Sequence, residues 1–437
     1  MWTLKPAAER GVPGVSHMAG GDRLESIDAI RGFAVCGILI MNIVGLAMPI
    51  YATVDPRYYG GASGADLFAW AAAYVLADGK MRALFTLLFG ASMAIIADRA
   101  EGRAPGAIAL HYRRMAWLLV IGMAHAWLLW FGDILVEYAI AGAVAFIAWR
   151  WPRGALLYGA LLLLGLSCAQ DLLGWHDLSA LRDAATAPNA PAIARESWGR
   201  VIAFATPDAG EIAREIALYR GSIADVFAVR APTTLYFQSQ LLPGALCETL
   251  GFMLLGLWLY RTGFLSGALP VFLYRLLLAI GLLIVIPLYL PVTALILRHD
   301  FDPAVLPLAD ALSLLLRPWL ALAYASAIIL AVRSGRARWL VTRLSASGRM
   351  ALSNYIGTTL IATTLFYGYG FGLYGQLSRA ELYAVVLIIW GAILLCSRPW
   401  LDRFAYGPLE WGWRSLVRWQ RQPMRRTARM TIANNSQ

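Results

Sequence analysis

Ten apolar runs, each parted from the next by charged or glycine- and proline-rich residues, set the pattern of this chain. They cover about residues 32–50, 83–96, 115–131, 134–149, 155–175, 241–260, 271–296, 306–332, 350–373 and 382–396. A helix rises about 1.5 Å per residue, so runs near twenty residues match the hydrocarbon thickness of a bilayer and are predicted to be transmembrane helices. The expected fold is all-α: a polytopic membrane protein of about ten transmembrane helices. Residues 66–76 read as a short interfacial helix. Residues 176–234 break the pattern, holding six Arg and seven Asp or Glu, and are expected in water. Within them, apolar positions of 211–230 recur at near-helical spacing, as in a helix lying on the membrane or capping a bundle.

The organisation expected from this is a cytoplasmic N-terminal segment (1–30), a first membrane bundle (31–175), an extracytoplasmic helical loop (176–236), a second bundle (237–397) and a basic cytoplasmic tail (398–437). Charge sets the orientation. With the N-terminus inside, the cytoplasmic segments hold 24 Lys and Arg against 11 outside, six of those in the long loop, which weighs little. Both termini are therefore expected in the cytoplasm.

Composition agrees with that class. Hydrophobic residues make up 59% and charged residues 14%, which excludes an ordinary soluble domain. The net charge is +11, and 35 of the 37 basic residues are Arg. Cys36, Cys168, Cys247 and Cys396 are scattered through or beside apolar runs and read as small buried residues without metal-ligand spacing. The first 22 residues lack a hydrophobic core, so no cleavable signal peptide is expected, and Met18 is an alternative start.

Polar residues within the apolar runs carry the chemistry, because they are costly there and often functional. Asp28 and Arg31 stand one turn apart at the entrance of the first run and can pair across i,i+3. Asn42 follows Arg31 by eleven residues, about three turns, on the same face and roughly 16 Å deeper; helix-to-helix glue is its plain alternative. Arg31, Arg113, Arg114, Arg349 and Asn354 gather toward the cytoplasmic side. Lys80, Arg82, His125, Asp133 and Glu137 lie toward the outer side. His125 is the one histidine of five deep inside a run, and a neutral His acts as a general base near pH 7 when a carboxylate orients it. Asp133, eight residues on, is the candidate. Asp310 and Arg317, seven apart on one face, are expected to neutralise each other, and Glu248 is either a protonated packing residue or a site carboxylate. No nucleotide loop, metal cluster or nucleophile elbow is present in the sequence.

The stretch Asp28-Ala-Ile-Arg31-Gly32-Phe-Ala-Val-Cys-Gly-Ile-Leu-Ile-Met-Asn42 resembles the opening of the YeiB-like membrane proteins, domain-of-unknown-function family 418. The resemblance continues through Gly79-Lys80-Met-Arg82, His125 with Gly132-Asp133-Ile-Leu, Tyr219-Arg220-Gly221, Gly348-Arg349-Met-Ala-Leu-Ser-Asn354-Tyr355 and Gly407-Pro408-Leu-Glu410-Trp-Gly-Trp-Arg414. It implies kinship with membrane acyltransferases, among them the lysosomal heparan glucosaminide acetyltransferase and bacterial polysaccharide O-acyltransferases. In the O-acyltransferase pattern an Arg-Gly opens the first helix and a catalytic His follows eleven residues after the Arg. Here Arg31-Gly32 match and Asn42 replaces the His, which leaves His125 as the best remaining base.

The expectation is a bacterial inner-membrane protein that moves an acyl group, acetyl from acetyl-CoA, to an envelope sugar or lipid acceptor. Arg31, Arg113, Arg114, Arg349 and Asn354 would bind the CoA phosphates, since Arg suits bidentate phosphate binding. Asn42 would hydrogen-bond the developing oxyanion, and His125 with Asp133 would deprotonate the acceptor. Lys80, Arg82, Glu137 and Glu248 would line the acceptor side. Expected partners are membrane lipids, the acceptor and, as an option, a second copy in a homodimer; nucleic acid and metal are not expected. A transporter or flippase using the same buried charges is the rival, and a non-catalytic scaffold for another envelope protein is a third reading.

Overall fold

A computed structural model describes residues 20–102 and 106–425. In chain order its helices are α1 (Gly20–Ala47), α2 (Gly64–Leu76), α3 (Lys80–Ala100), α4 (Ala107–Leu128), α5 (Leu135–Ala145), α6 (Arg153–Thr186), α7 (Ala192–Ala205), α8 (Ala209–Tyr219) and α9 (Ile223–Tyr236). They continue as α10 (Leu242–Arg261), α11 (Val271–Ile280), α12 (Ile286–Arg298), α13 (Leu306–Ser334), α14 (Arg338–Arg349), α15 (Ala351–Phe366), α16 (Arg379–Arg403) and α17 (Pro408–Arg418). Among the described residues the one β feature is an isolated bridge between Phe404 and Arg425.

Every apolar run of the sequence carries a helix. Seven helical stretches are long and apolar enough to cross a membrane: 25–47, 64–100, 153–186, 223–261, 271–298, 306–334 and 379–403. The remaining runs form α4, α5 and α15. Of these, α5 has 11 residues and α15 has 16, while α4 carries Arg113, Arg114 and two histidines. Proline explains the break inside the span 271–298. Pro287 lacks the N–H that would close the regular turn, and α11 and α12 meet through a π turn at Gly281–Val285.

Backbone contact at glycines draws the bundle together, as expected where lipid gives helices no hydrophobic drive to associate. A Cβ on Gly32 of α1 would lie 2.0 Å from the Leu344 carbonyl oxygen of α14, and one on Gly348 would lie 1.9 Å from that of Asp28. In the same way Gly90 and Gly256 bring α3 and α10 into backbone contact. In the charged segment after α6, α8 and α9 begin with capping boxes at Asp208–Glu211 and Ser222–Asp225. Glu215 docks α8 on the bundle: its Oε1 accepts 3.0 Å hydrogen bonds from the Ile50 N–H and the Tyr374 hydroxyl.

Candidate functional site

The glycine contacts that press α1 against α14 also place the arginines beside them. Arg31 and Arg349, each next to such a glycine, open into one cavity of about 390 Å³. Arg99, Arg114 and Arg414 join them on its wall, with Asp28 and Glu410 as the acidic members. Arg31 donates to Asp28 Oδ1 and to Ser92 Oγ, each at 2.8 Å. Glu410 is spent on the start of α15, where it accepts from the N–H groups of Leu352 and Ser353 at 2.7 and 3.0 Å. Five guanidinium groups against two committed carboxylates leave the cavity cationic, a setting for an anion.

One wall of the cavity comes from the end of the chain. Trp413 of α17 donates its indole N–H to the Arg114 carbonyl at 3.3 Å, and the Arg114 guanidinium lies 5.0 Å from the Trp413 ring. Desolvation at the cavity rim lowers the pKa of Arg414, although its side chain keeps contact with solvent, and the positive charges of Arg418 and Arg31 lower it further. Deeper in, the lining turns apolar: Phe85, Phe89, Leu118, Leu135, Tyr138 and Tyr355. The space is polar at one end and oily at the other.

At the apolar end, behind Tyr355, sits His125. The rings of Tyr355 and His125 lie 5.1 Å apart, and His125 is 2% exposed. Its Nδ1 lies 2.7 Å from Asp133 Oδ1, and its Nε2 lies 3.0 Å from the Thr359 hydroxyl. Asp133 is itself held, because the Val136 N–H donates to its other oxygen at 2.8 Å. The turn at Gly132–Asp133 thus folds the carboxylate back onto α4, so the eight-residue separation closes into a direct contact. With Asp133 ionised, Nδ1 carries the proton and Nε2 is the free base.

Four other candidates form a separate cluster. Glu248 of α10 accepts from Arg82 at 2.8 Å and from Arg317 at 2.5 Å. Arg82 also lies 3.6 Å from Glu137, whose carboxylate accepts from the Thr249 hydroxyl. The result is a ladder, Glu137–Arg82–Glu248–Arg317, crossing α5, α3, α10 and α13. Arg317 therefore pairs with Glu248 and not with Asp310, and Glu248 is an ionised carboxylate between two cations. Beside the ladder Lys80 is fully buried, donating to the Tyr74 carbonyl at 2.5 Å with its Nζ 3.7 Å from the centre of the Tyr289 ring. Gly79, at φ +68°, makes room: a Cβ there would meet Arg317 Nε at 2.3 Å.

Three residues expected at the donor site stand elsewhere. Arg113 is not on the cavity wall, and its guanidinium stacks 4.3 Å from the Trp419 ring. Asn354 donates to the Ser347 carbonyl and Ser397 Oγ at 3.0 and 3.2 Å, which ties α15 to α14 and α16. Asn42 is half-buried on α1, outside the cavity lining and without a side-chain hydrogen bond among the described residues. Sequence reasoning missed Arg99, Arg414, Tyr355 and Thr359. The charge of the first two and their place at segment ends was the only signal available; the last two are ordinary residues for a buried helix. No group of three His, Cys, Asp or Glu among the described residues is arranged to hold a metal ion.

Comparison with known proteins places the chain among membrane proteins without an assigned activity. The family model "Protein of unknown function (DUF418)" matches residues 259–420. The chain is 33% identical over 422 residues to "Uncharacterized protein YeiB" of Escherichia coli (strain K12), covering 91% of this chain and 96% of that one. It is 27% identical over 426 residues to "Uncharacterized protein YxaH" of Bacillus subtilis (strain 168), covering 92% and 96%. No solved structure matches it significantly.

Proposed function

The chain belongs to the DUF418 family of membrane proteins, and from its site we propose that it is an acyltransferase that moves an acyl group, acetyl in the simplest case, from a CoA thioester to an envelope sugar or lipid. The observation that carries this reading is a single cavity, lined by five arginines at one end, whose apolar end stops at Tyr355 against the His125–Asp133 pair. The two ends match the two ends of an acyl-CoA. Arg31, Arg114, Arg349 and Arg414 hold the phosphates, and Phe85, Phe89 and Leu118 take the pantetheine arm. His125 Nε2, made basic by the proton fixed at Nδ1, supplies general-base catalysis at the thioester end. The basic excess of the connections on the arginine side supports a mouth open to the inside of the cell and a place in the bacterial cytoplasmic membrane.

The test is paired on one preparation of the full chain in detergent, with acetyl-CoA as the probe. His125→Gln is expected to lower thioester turnover by ~10²–10⁴-fold, while thermal stability falls by about 1 kcal/mol, the worth of one buried hydrogen bond between helices. A well-folded His125→Gln protein with near-normal turnover removes the reading. A transporter or flippase is the second reading, supported by the charged ladder through Arg82, Glu248 and Arg317, which lies outside the cavity lining. Substrate-driven counterflow in liposomes, without turnover of acetyl-CoA, would favour it.

A further inference from the structure

The hydroxyl group facing His125 belongs to a threonine inside a helix, a residue that can donate to the carbonyl four residues back. Thr86, Thr233, Thr293 and Thr342 do so here at 2.8, 2.9, 2.8 and 2.7 Å. Thr359 has the same option on the Tyr355 carbonyl, yet that distance is 3.4 Å, and its Oγ1 stands 3.0 Å from His125 Nε2 instead. Next to it, Thr358 bonds that carbonyl at 2.7 Å. In the tautomer that donates its Nδ1–H to Asp133, Nε2 has a lone pair to offer and the Thr359 O–H is the donor on that side. Hydroxyl, imidazole and carboxylate stand in line, each within hydrogen-bond reach of the next, which is the arrangement that activates a hydroxyl nucleophile.

We propose that Thr359 is the nucleophile of the reaction, so that transfer passes through a threonine ester; this rests on the acyltransferase reading above. Thr359 Oγ1 attacks the carbonyl carbon of the thioester while its proton passes to His125 Nε2. The C–S bond breaks, the sulfur takes that proton, and CoA leaves as the free thiol. The acyl group is then held as an ester on Thr359. Next, an acceptor hydroxyl gives its proton to the same Nε2 and its oxygen attacks the ester carbonyl. The C–Oγ1 bond breaks and the proton returns to Oγ1. Every proton and bond closes without a further reagent.

Position and burial suit the role. Thr359 lies one turn beyond Tyr355 on α15, and Tyr355 forms the end of the cavity. A thioester in the cavity is therefore one aromatic ring away from the hydroxyl, and the proposed attack requires the buried Tyr355 side chain, whose Oη accepts from the Ile134 N–H at 3.4 Å, to turn aside. Thr359 is 2% exposed, so an ester formed there is shielded from water until an acceptor arrives.

The experiment incubates the full chain in detergent with acetyl-CoA labelled in the acetyl group, quenches in acid and maps the label on peptides. Label is expected on Thr359 in the wild type and in Thr359→Ser. It should be absent in Thr359→Val, which keeps the shape and loses the hydroxyl, and in His125→Gln. Turnover in Thr359→Val should drop by ~10²-fold or more, in step with the lost label. Near-normal turnover in that variant, label on His125 or another residue, or turnover of the wild type without any label would each overturn the ester route and leave the acyltransferase reading in place. A wild type that neither hydrolyses nor transfers the acetyl group overturns both. Should the valine variant fail to fold, the serine variant decides: folded and active, it must carry the label at position 359.

Discussion

The arginine cavity and the charged ladder are built from the same residue types and reach opposite electrostatic ends. In the ladder each cation has a carboxylate: Arg82 and Arg317 share Glu248, and Arg82 also faces Glu137. Nothing is left over and little room remains, since Glu248 is 8% and Arg317 is 8% exposed. In the cavity, Asp28 pairs with Arg31 close to the charges of Arg349 and Arg414, Glu410 is occupied by the start of α15, and five guanidinium groups line the wall against these two carboxylates. A paired buried charge holds helices in register; a surplus of charge beside a void waits for a ligand. The difference separates residues that serve the fold from residues that can serve a substrate.

The sharpest way to break this comparison is to remove one group from each region. Glu248→Ala leaves Arg317 buried without its carboxylate and Arg82 with Glu137 alone, and is expected to cost about 3–5 kcal/mol of stability. Arg414→Ala relieves a repelling cluster and should change stability by less than about 0.5 kcal/mol, the range of an ordinary surface substitution. Thermal unfolding of both variants in the same detergent gives the answer, and equal losses would erase the distinction.

Ligand affinity is the next effect in size. Arg31→Ala should weaken CoA binding by about tenfold or more, as loss of a charge-assisted hydrogen bond implies. Arg31→Lys should recover only part, because an ammonium lacks the planar fork. Calorimetry reads this directly. Equal affinity for wild type and Arg31→Ala would assign Arg31 to its ion pair with Asp28 and its bond to Ser92, and move it into the structural class.

These two regions were not equally legible in the sequence. Hydropathy located the spanning helices that build them, though not α14 or α17, because a bilayer imposes a length and a composition that a single chain displays. Arg31, Arg114 and Arg349 were legible for the same reason: charges at the ends of apolar runs must gather at one membrane surface. Partners were not. Spacing along one helix suggested Asp310 for Arg317, whereas the carboxylate that reaches it is on α10, 69 residues away. Arg414 reaches the cavity through a helix that follows the last span, a placement no periodicity encodes. His125 stood out as a lone histidine within a run, while Thr359 could not, since its meaning is one distance to a residue 234 positions earlier. Asn42 shows the reverse error. It shares a helix face with Arg31 by register, yet α1 does not turn it into the cavity.

Glu215 offers the smallest test and a useful third term, a half-buried carboxylate with hydrogen bonds but no cation. On α8, outside the spanning segments, burial raises its pKa, and the donors Ile50 N–H and Tyr374 Oη only partly offset that. Glu248, between two guanidinium groups, has the cations that Glu215 lacks. A raised value means that the folded chain keeps this proton over a range of pH in which the unfolded chain has released it. Stability from this group is therefore greatest at the acidic end, falls as pH rises from the ordinary carboxylate value toward the raised one, and is level beyond. Glu215→Gln keeps an acceptor oxygen for Ile50 and Tyr374 but cannot ionise. It is expected to flatten that fall and to match or exceed wild-type stability at neutral pH by less than about 1 kcal/mol, the scale of one hydrogen bond. Unfolding midpoints of both proteins across the acidic range decide it. If the two profiles run parallel, the carboxylate is solvated in the folded chain and α8 is held by other contacts.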